Sequence, residues 1–283
     1  LTPNLTAFTG VDSQNLPDVM VSVQFILAIG GKNCRSIDVR RYFLIPKIIH
    51  YCWFGNSELP DIVKDCISSW KKYCPEYEIK RWDESNYDVS KNAYTRAAYK
   101  NKKWAFLTDY VRLDILYNEG GVYMDTDVKL IRSLDPLIDK GPFMSFEKRG
   151  RVNTGVGFAC EAGNPIVKEN KDYYENNLFV DENGNFKPEI CVKITTKILI
   201  KHGLNYTENV VQKVDGLIVY SSDYFSPKKL GTEKITLTSN TYGIHLFASS
   251  WYKGSKISRK MKYHLIPLKE FIKYKILSKK LYE

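Results

Sequence analysis

From residue 45 to residue 247, short apolar runs of strand length alternate with longer stretches of helical periodicity. That alternation points to an α/β domain. The first run, residues 47–54, is apolar and aromatic, stops at Gly55, and reads as a buried strand. Helices are expected over residues 60–73, 92–104 and 105–118, with a strand at 77–82. In the third helix Phe106, Tyr110, Leu113 and Tyr117 form one apolar stripe. Beyond Gly120-Gly121, strands are expected at 122–128, 142–146, 152–160, 217–220 and 242–247, and helices at 165–176 and 190–201.

At 283 residues the chain can bury a sizeable core. With 43% apolar and 26% charged residues, collagen-like, coiled-coil and wholly disordered classes are excluded. No uncharged apolar run approaches the roughly 18 residues of a membrane span; the longest covers residues 19–29. None of the six cysteines forms a C-x-x-C pair, so a zinc site of that type or a redox dithiol is not expected. Reduced thiols of a cytoplasmic protein are the expectation. Residues 1–44 carry no motif and read as an N-terminal extension, flexible or upstream of the true domain start.

The net charge of +10 is unevenly placed. Residues 253–283 carry +8 of it and the rest of the chain only +2, which argues against nucleic acid and for an anionic surface near one end. In this tail Leu265, Leu268, Ile272 and Ile276 recur at helical spacing, with Lys269, Lys273 and Lys280 elsewhere around the wheel. Such a helix suits a membrane surface, or equally docks on its own domain with solvated lysines.

The chemistry concentrates at Gly120-Gly121-Val122-Tyr123-Met124-Asp125-Thr126-Asp127. The segment reads as a strand, in which alternate side chains share a face, so Tyr123, Asp125 and Asp127 point one way. Two carboxylates at a strand end call for a positive partner, and a divalent cation is the natural one. A solvated acidic turn is the plainer alternative. On the preceding helix Asp109 and Arg112 lie three apart; spacing alone favours an exposed ion pair of little energetic weight.

Taken together, Ala105-Phe106-Leu107-Thr108-Asp109-Tyr110-Val111-Arg112 and the acidic segment resemble the sugar-binding region of glycosyltransferase family 32. That family includes capsular polysaccharide enzymes, yeast initiating mannosyltransferases and the glucosylating domain of large clostridial toxins. Ile45-Pro46-Lys47-Ile48-Ile49-His50-Tyr51-Cys52-Trp53-Phe54-Gly55 is similar to the start of bacterial members, and residues 153–165 are similar to the segment after the acidic motif. The resemblance implies a GT-A nucleotide-sugar-binding fold with a mainly parallel central sheet over residues 45–252. It implies a UDP- or GDP-sugar donor, Mn²⁺ or Mg²⁺, a retaining hexosyl transfer, and a saccharide acceptor that can be lipid-linked. By the same resemblance Trp53 packs near the donor base, Asp109 and Arg112 hold the sugar, and Tyr123 flanks the nucleotide. Asp125 reaches the ribose and the ion's water shell, Asp127 binds the ion, and Asn153 falls on the acceptor side. His245 matches a third metal ligand of several retaining enzymes. In the toxin pattern Ser249 or Ser250, with Trp251, serves the ion and diphosphate instead. The expected setting is polysaccharide synthesis in the cytoplasm, on the inner membrane face through the tail.

Two rival readings fit the sequence less well. A haloacid-dehalogenase-type phosphatase also uses D-x-D, but its motif opens the domain and is followed by a G-D-x-x-x-D, absent here. A non-catalytic sugar- or nucleotide-binding module on the same fold is disfavoured by the intact acidic pair.

Overall fold

A computed structural model describes residues 44–248, apart from 182, 184, 188, 229–231 and 233. The N-terminal extension up to residue 43, the Ser249, Ser250 and Trp251 positions, and the basic tail lie outside the described residues. The chain order is β1 (Ile48–Cys52), α1 (Asp61–Tyr73), β2 (Glu78–Trp82), α2 (Ala93–Lys100), α3 (Trp104–Glu119), β3 (Gly121–Tyr123), β4 (Val128–Leu130), α4 (Asp135–Ile138), β5 (Phe143–Lys148), β6 (Arg151–Asn153), β7 (Phe158–Cys160), α5 (Pro165–Glu175), α6 (Cys191–Lys201), β8 (Gln212–Val214), β9 (Leu217–Tyr220) and β10 (Gly243–His245).

Among the described residues, eight strands form one sheet in the order β2-β1-β3-β7-β5-β9-β8, with β6 paired to β5. β2, β1, β3, β5 and β9 point one way; β6, β7 and β8 run against them. The mainly parallel α/β sandwich expected from the sequence is therefore present. Alternate residues of the strands feed two cores. Val122 joins the core that contains α1, while Tyr123 joins the one that contains α3, α5 and α6. β4 and β10 form a separate antiparallel pair in which His245 lies opposite Val128.

The local causes are readable. Asn92 caps α2 by accepting from the Thr95 amide at 2.9 Å. Asn164 does the same for α5, with Pro165 at its first position. α3 is buried on nearly every side, from Leu107 through Leu116, so a single apolar stripe understates it.

Two expectations are corrected. Residues 122–128 are not one strand: β3 stops at Tyr123, and Val128 N–H donates to Asp125 O at 3.0 Å across a turn. The chain there leaves the main sheet and joins the small one. Residues 152–160 likewise split into β6 and β7 around a tight glycine-containing loop. β8 and α4 were not foreseen.

Candidate active site

The parallel pairing of β1 with β3 sets His50 opposite Tyr123, so residues just past both strands collect at one sheet edge. Sites of α/β sheets lie outside such carboxyl ends. α3 reaches this edge because the chain reverses within two glycines. Gly120 and Gly121 have φ of 68° and 102°, and a Cβ on Gly121 would stand 2.9 Å from both His50 Nε2 and Ile48 O. His50 is fully buried, with Nε2 against Gly120 O at 3.0 Å and Nδ1 accepting from Trp82 Nε1 at 3.0 Å. Burial pushes its imidazole down to about 4, so it is held neutral.

Arg112 is the centre of the arrangement. Its Nη2 lies 3.1 Å from Asp109 Oδ1 and 3.2 Å from Asp125 Oδ1. Nε donates to Thr108 O at 3.0 Å, and the guanidinium sits 5.0 Å from the centre of the Tyr123 ring. The Tyr123 hydroxyl donates to Asp125 Oδ1 at 3.3 Å. The Asp109–Arg112 pair is thus not the exposed pair that spacing favoured: the two residues are only 7% and 3% exposed. A buried guanidinium needs such compensation, since desolvation opposes its charge. Asp125, Tyr123 and Asp109 outweigh burial and hold Arg112 well above its ordinary range. Burial raises the Asp109 carboxyl to about 6; Arg112 pulls it down and Asp125 pushes it up. The first turn of α6 also reaches Asp109, through the Cys191 amide and thiol.

The loop between β6 and β7 closes over this cluster. Gly155 O accepts from the Asp125 amide at 2.7 Å, and a Cβ on Gly155 would fall 1.9 Å from Asp125 Oδ2 and 2.6 Å from Arg112 Nη1. Only glycine leaves room for both side chains. Asn153 Oδ1 accepts from the Gly155 amide at 2.7 Å and so shapes that loop. Gly155, Thr108 and Cys191 were not singled out from the sequence. The nearest signal was Asn153-Thr154-Gly155-Val156-Gly157, a polar pair followed by two glycines.

Asp127 has other partners. Its Oδ1 is 3.5 Å from His245 Nε2, and its Oδ2 accepts from the Ala248 amide at 2.9 Å. Leu246 N–H donates to Asp127 O at 2.9 Å, so β10 closes this side of the edge. Burial works against the Asp127 charge, but His245 holds the carboxyl below its usual range. Burial lowers His245 in turn, and Asp127 raises it further. His245 Nδ1 is buried with no hydrogen-bond partner among the described residues. Trp53 is half-buried, with its indole N–H on Ser57 O at 2.8 Å and its ring against the α1-side core.

Asp109, Arg112, Tyr123 and Asp125 thus form one cluster and Asp127 with His245 another. Among the described residues no three His, Cys, Asp or Glu side chains are grouped closely enough to hold a metal ion. What could share a divalent cation is a pair, the Asp127 carboxylate and the His245 imidazole, whose Nε2 faces it.

Residues 60–144 match the family described as glycosyltransferase sugar-binding region containing DXD motif. Over 128 residues the chain is 34% identical to inositol phosphoceramide mannosyltransferase 3 of Schizosaccharomyces pombe, covering 44% of this chain and 35% of the relative. The match thus spans about a third of that relative's length. An uncharacterized glycosyltransferase of Acanthamoeba polyphaga mimivirus is 25% identical over 229 residues, covering 76% of this chain and 87% of the relative. The solved structure of the PaToxG glycosyltransferase superposes with a TM-score of 0.42 at 20% identity, covering 56% of this chain and 68% of that one.

Proposed function

We propose that this chain, which carries the DXD-containing glycosyltransferase sugar-binding region, moves a hexose with retention from a UDP- or GDP-sugar to a saccharide acceptor. The observation that carries the reading is Arg112, buried between Asp109 and Asp125 at the carboxyl edge of the sheet. A structural ion pair needs one carboxylate. Two around one guanidinium, with Asp125 still 30% exposed, leave acceptor oxygens for the hydroxyls of a sugar. The mannosyltransferase name of the fission-yeast relative supports a hexose as the group transferred.

In this reading Asp109 and Arg112 fix the sugar, and Tyr123 and Asp125 fix the nucleoside. The preorganised guanidinium would offset negative charge that develops as the diphosphate departs. Asp127 and His245, with Asp125 through a water shell, would hold Mn²⁺ or Mg²⁺, which would neutralise the leaving diphosphate as a Lewis acid. Retention would follow from attack of the acceptor hydroxyl on the same face that the diphosphate leaves, the anomeric C–O bond to the diphosphate breaking and the hydroxyl proton passing to that oxygen, or from a covalent intermediate; no side chain here identifies itself as a covalent nucleophile.

The surface-polysaccharide setting, the lipid-linked acceptor, and the division into an extension, a domain at 45–252 and a basic tail at 253–283 belong to the same proposal. So does a cytoplasmic place at the inner membrane face. Among the described residues no helix is long and apolar enough to cross a membrane, so contact would fall to the +8 tail. Release of nucleoside diphosphate from a panel of UDP- and GDP-hexoses, with Mn²⁺ and with EDTA, tests the activity. Equal rates in EDTA would remove the metal. Sedimentation with anionic liposomes, full chain against a version ending at Lys253, tests the tail. Equal binding by both would leave it a docked helix.

A further inference from the structure

Between α5 and α6 the chain leaves three large apolar side chains in solvent: Leu178 is 63% exposed, Phe186 48% and Ile190 45%. Single exposed apolar side chains are ordinary; several gathered on one short segment mark a surface that meets something. The segment is built, not loose. Val180 and Phe186 form an antiparallel bridge, and Lys187 N–H donates to Phe179 O at 3.0 Å, which folds Leu178 back beside residues 186 and 187. The Phe186 ring packs edge to face on Phe179 with ring centres 5.6 Å apart.

The charges around these side chains are one-sided. Lys103 Nζ lies 5.2 Å from the centre of the Phe186 ring. Lys187 follows Phe186 in the chain, the Lys193 amide donates to Ile190 O at 2.9 Å, and Lys197 stands one turn further along α6. Among the described residues two carboxylates answer these lysines: Asp181 pairs with Lys187 at 3.2 Å, and Glu189 pairs with Lys193 and Lys197. The carboxylates form the inner layer. The Asp181 and Glu189 side chains are 12% and 19% exposed, whereas those of Lys187, Lys193 and Lys197 are 68%, 50% and 59% exposed. The Tyr173 hydroxyl also holds Glu189, at 2.7 Å. The outer face is therefore apolar side chains among ammonium groups, on stems long enough for the apolar residues to sit deeper than the charges. A second exposed aliphatic group, Val210, Val211, Ile235 and Leu237, lacks this bias: Lys213 and Lys234 border it, but so do Glu208 and Asp223.

An anionic bilayer matches such a face, with negative headgroups at the level of the lysines and acyl chains beneath for the apolar side chains. A second copy docked about a two-fold axis would instead set these lysines against themselves. The face also borders the site. Ile190 is the N-terminal cap of α6, and the next residue, Cys191, touches the Asp109 carboxyl. Phe179 links Phe186 to Phe106, which lies three residues before Asp109 on α3.

We propose that Leu178, Phe186 and Ile190, with the lysines around them, form a surface that seats on an anionic lipid bilayer and sets the Asp109 edge of the site against it. This surface belongs to the body of the domain and is distinct in sequence from the basic tail. Its use rests on the transferase reading, since a lipid-linked acceptor would be presented at this edge; the binding itself does not require transfer.

The test is co-sedimentation of the full chain with vesicles of mixed phosphatidylcholine and phosphatidylglycerol. Leu178→Glu and Lys197→Glu change exposed positions and should fold normally. Each should lower the partition about fivefold or more, because one basic residue or one partly buried leucine at an anionic surface contributes about that factor. Leu237→Glu, an exposed leucine outside the surface, should bind like the parent. The tail is present in every chain, so it cancels from the comparison. Without vesicles, Leu178→Glu and Lys197→Glu should release nucleoside diphosphate from nucleotide-sugar at the parent rate. Parental vesicle binding by both, or an equal loss in Leu237→Glu, would overturn the surface. So would a parent that is dimeric in solution and becomes monomeric in Leu178→Glu, which would assign the face to a second copy. The expected losses of vesicle binding in a chain that hydrolyses no nucleotide-sugar would keep the surface and remove the transferase reading.

Discussion

Replacing Gly155 by alanine should separate catalysis from folding. The added Cβ would stand 1.9 Å from Asp125 Oδ2 and 2.6 Å from Arg112 Nη1. Ordinary contact begins near 3.4 Å, so the carboxylate must retreat about 1.5 Å and the guanidinium about 0.8 Å. The Gly155 backbone lies outside the left-handed region, so the alanine brings no strain of its own. The Asp125 side chain is 30% exposed and can yield toward solvent, whereas Arg112 is 4% exposed and cannot. Overpacking of this kind costs about 1–3 kcal/mol; the exit open to Asp125 lowers that cost and the confinement of Arg112 raises it. Misplacing a substrate-holding group by 1 Å or more costs about 100-fold in turnover. Gly155→Ala should therefore melt within several degrees of the parent and release nucleoside diphosphate about 100-fold more slowly. A folded variant with parental turnover would refute the placement of Asp125 and Arg112 in the reacting site.

Arg112→Lys should lower donor turnover by about 100-fold while keeping the positive charge, because one ammonium cannot span Asp109, Asp125 and the Thr108 carbonyl together; parental steady-state rates would count against the fork. His50 should make the fold acid-sensitive. Its folded-state value of about 4 lies below the ordinary 6.5, so as pH falls through that window the unfolded chain binds a proton that the folded chain refuses. Stability should drop by about 1.4 kcal/mol per pH unit there, and urea unfolding of His50→Gln should lose that slope; an unchanged slope would assign it to other groups.

The order of strands and helices was largely legible because apolar period and turn residues are local signals. The β8–β9 hairpin was legible too, and was missed: Asp215-Gly216 joins paired Val214 and Leu217, a two-residue turn with both central φ positive. The acidic segment misled for a physical reason. Alternation continues through residues 122–128, but the partner strand ends, and only pairing with β10 shows that the chain has changed sheets. Asp125 and Asp127 consequently take different partners, Arg112 and Tyr123 for the first and His245 for the second. The burial of Asp109 and Arg112 was beyond helix spacing, because it depends on partners at 125, 154 and 155. The geometry of the cluster that the family resemblance pointed to comes from those distant contacts.

The most direct test of the account is nucleoside diphosphate release from UDP- and GDP-hexoses in Mn²⁺, parent against Asp127→Ala, with thermal melts alongside. Among the described residues the Asp127 carboxylate is held by His245 and the Ala248 amide, both near the sheet edge, so its loss should spare the fold. The account predicts release by the parent from at least one donor, and a variant about 100-fold slower with a melt within several degrees. No release from any donor by the parent, or equal release by a folded Asp127→Ala, would contradict it.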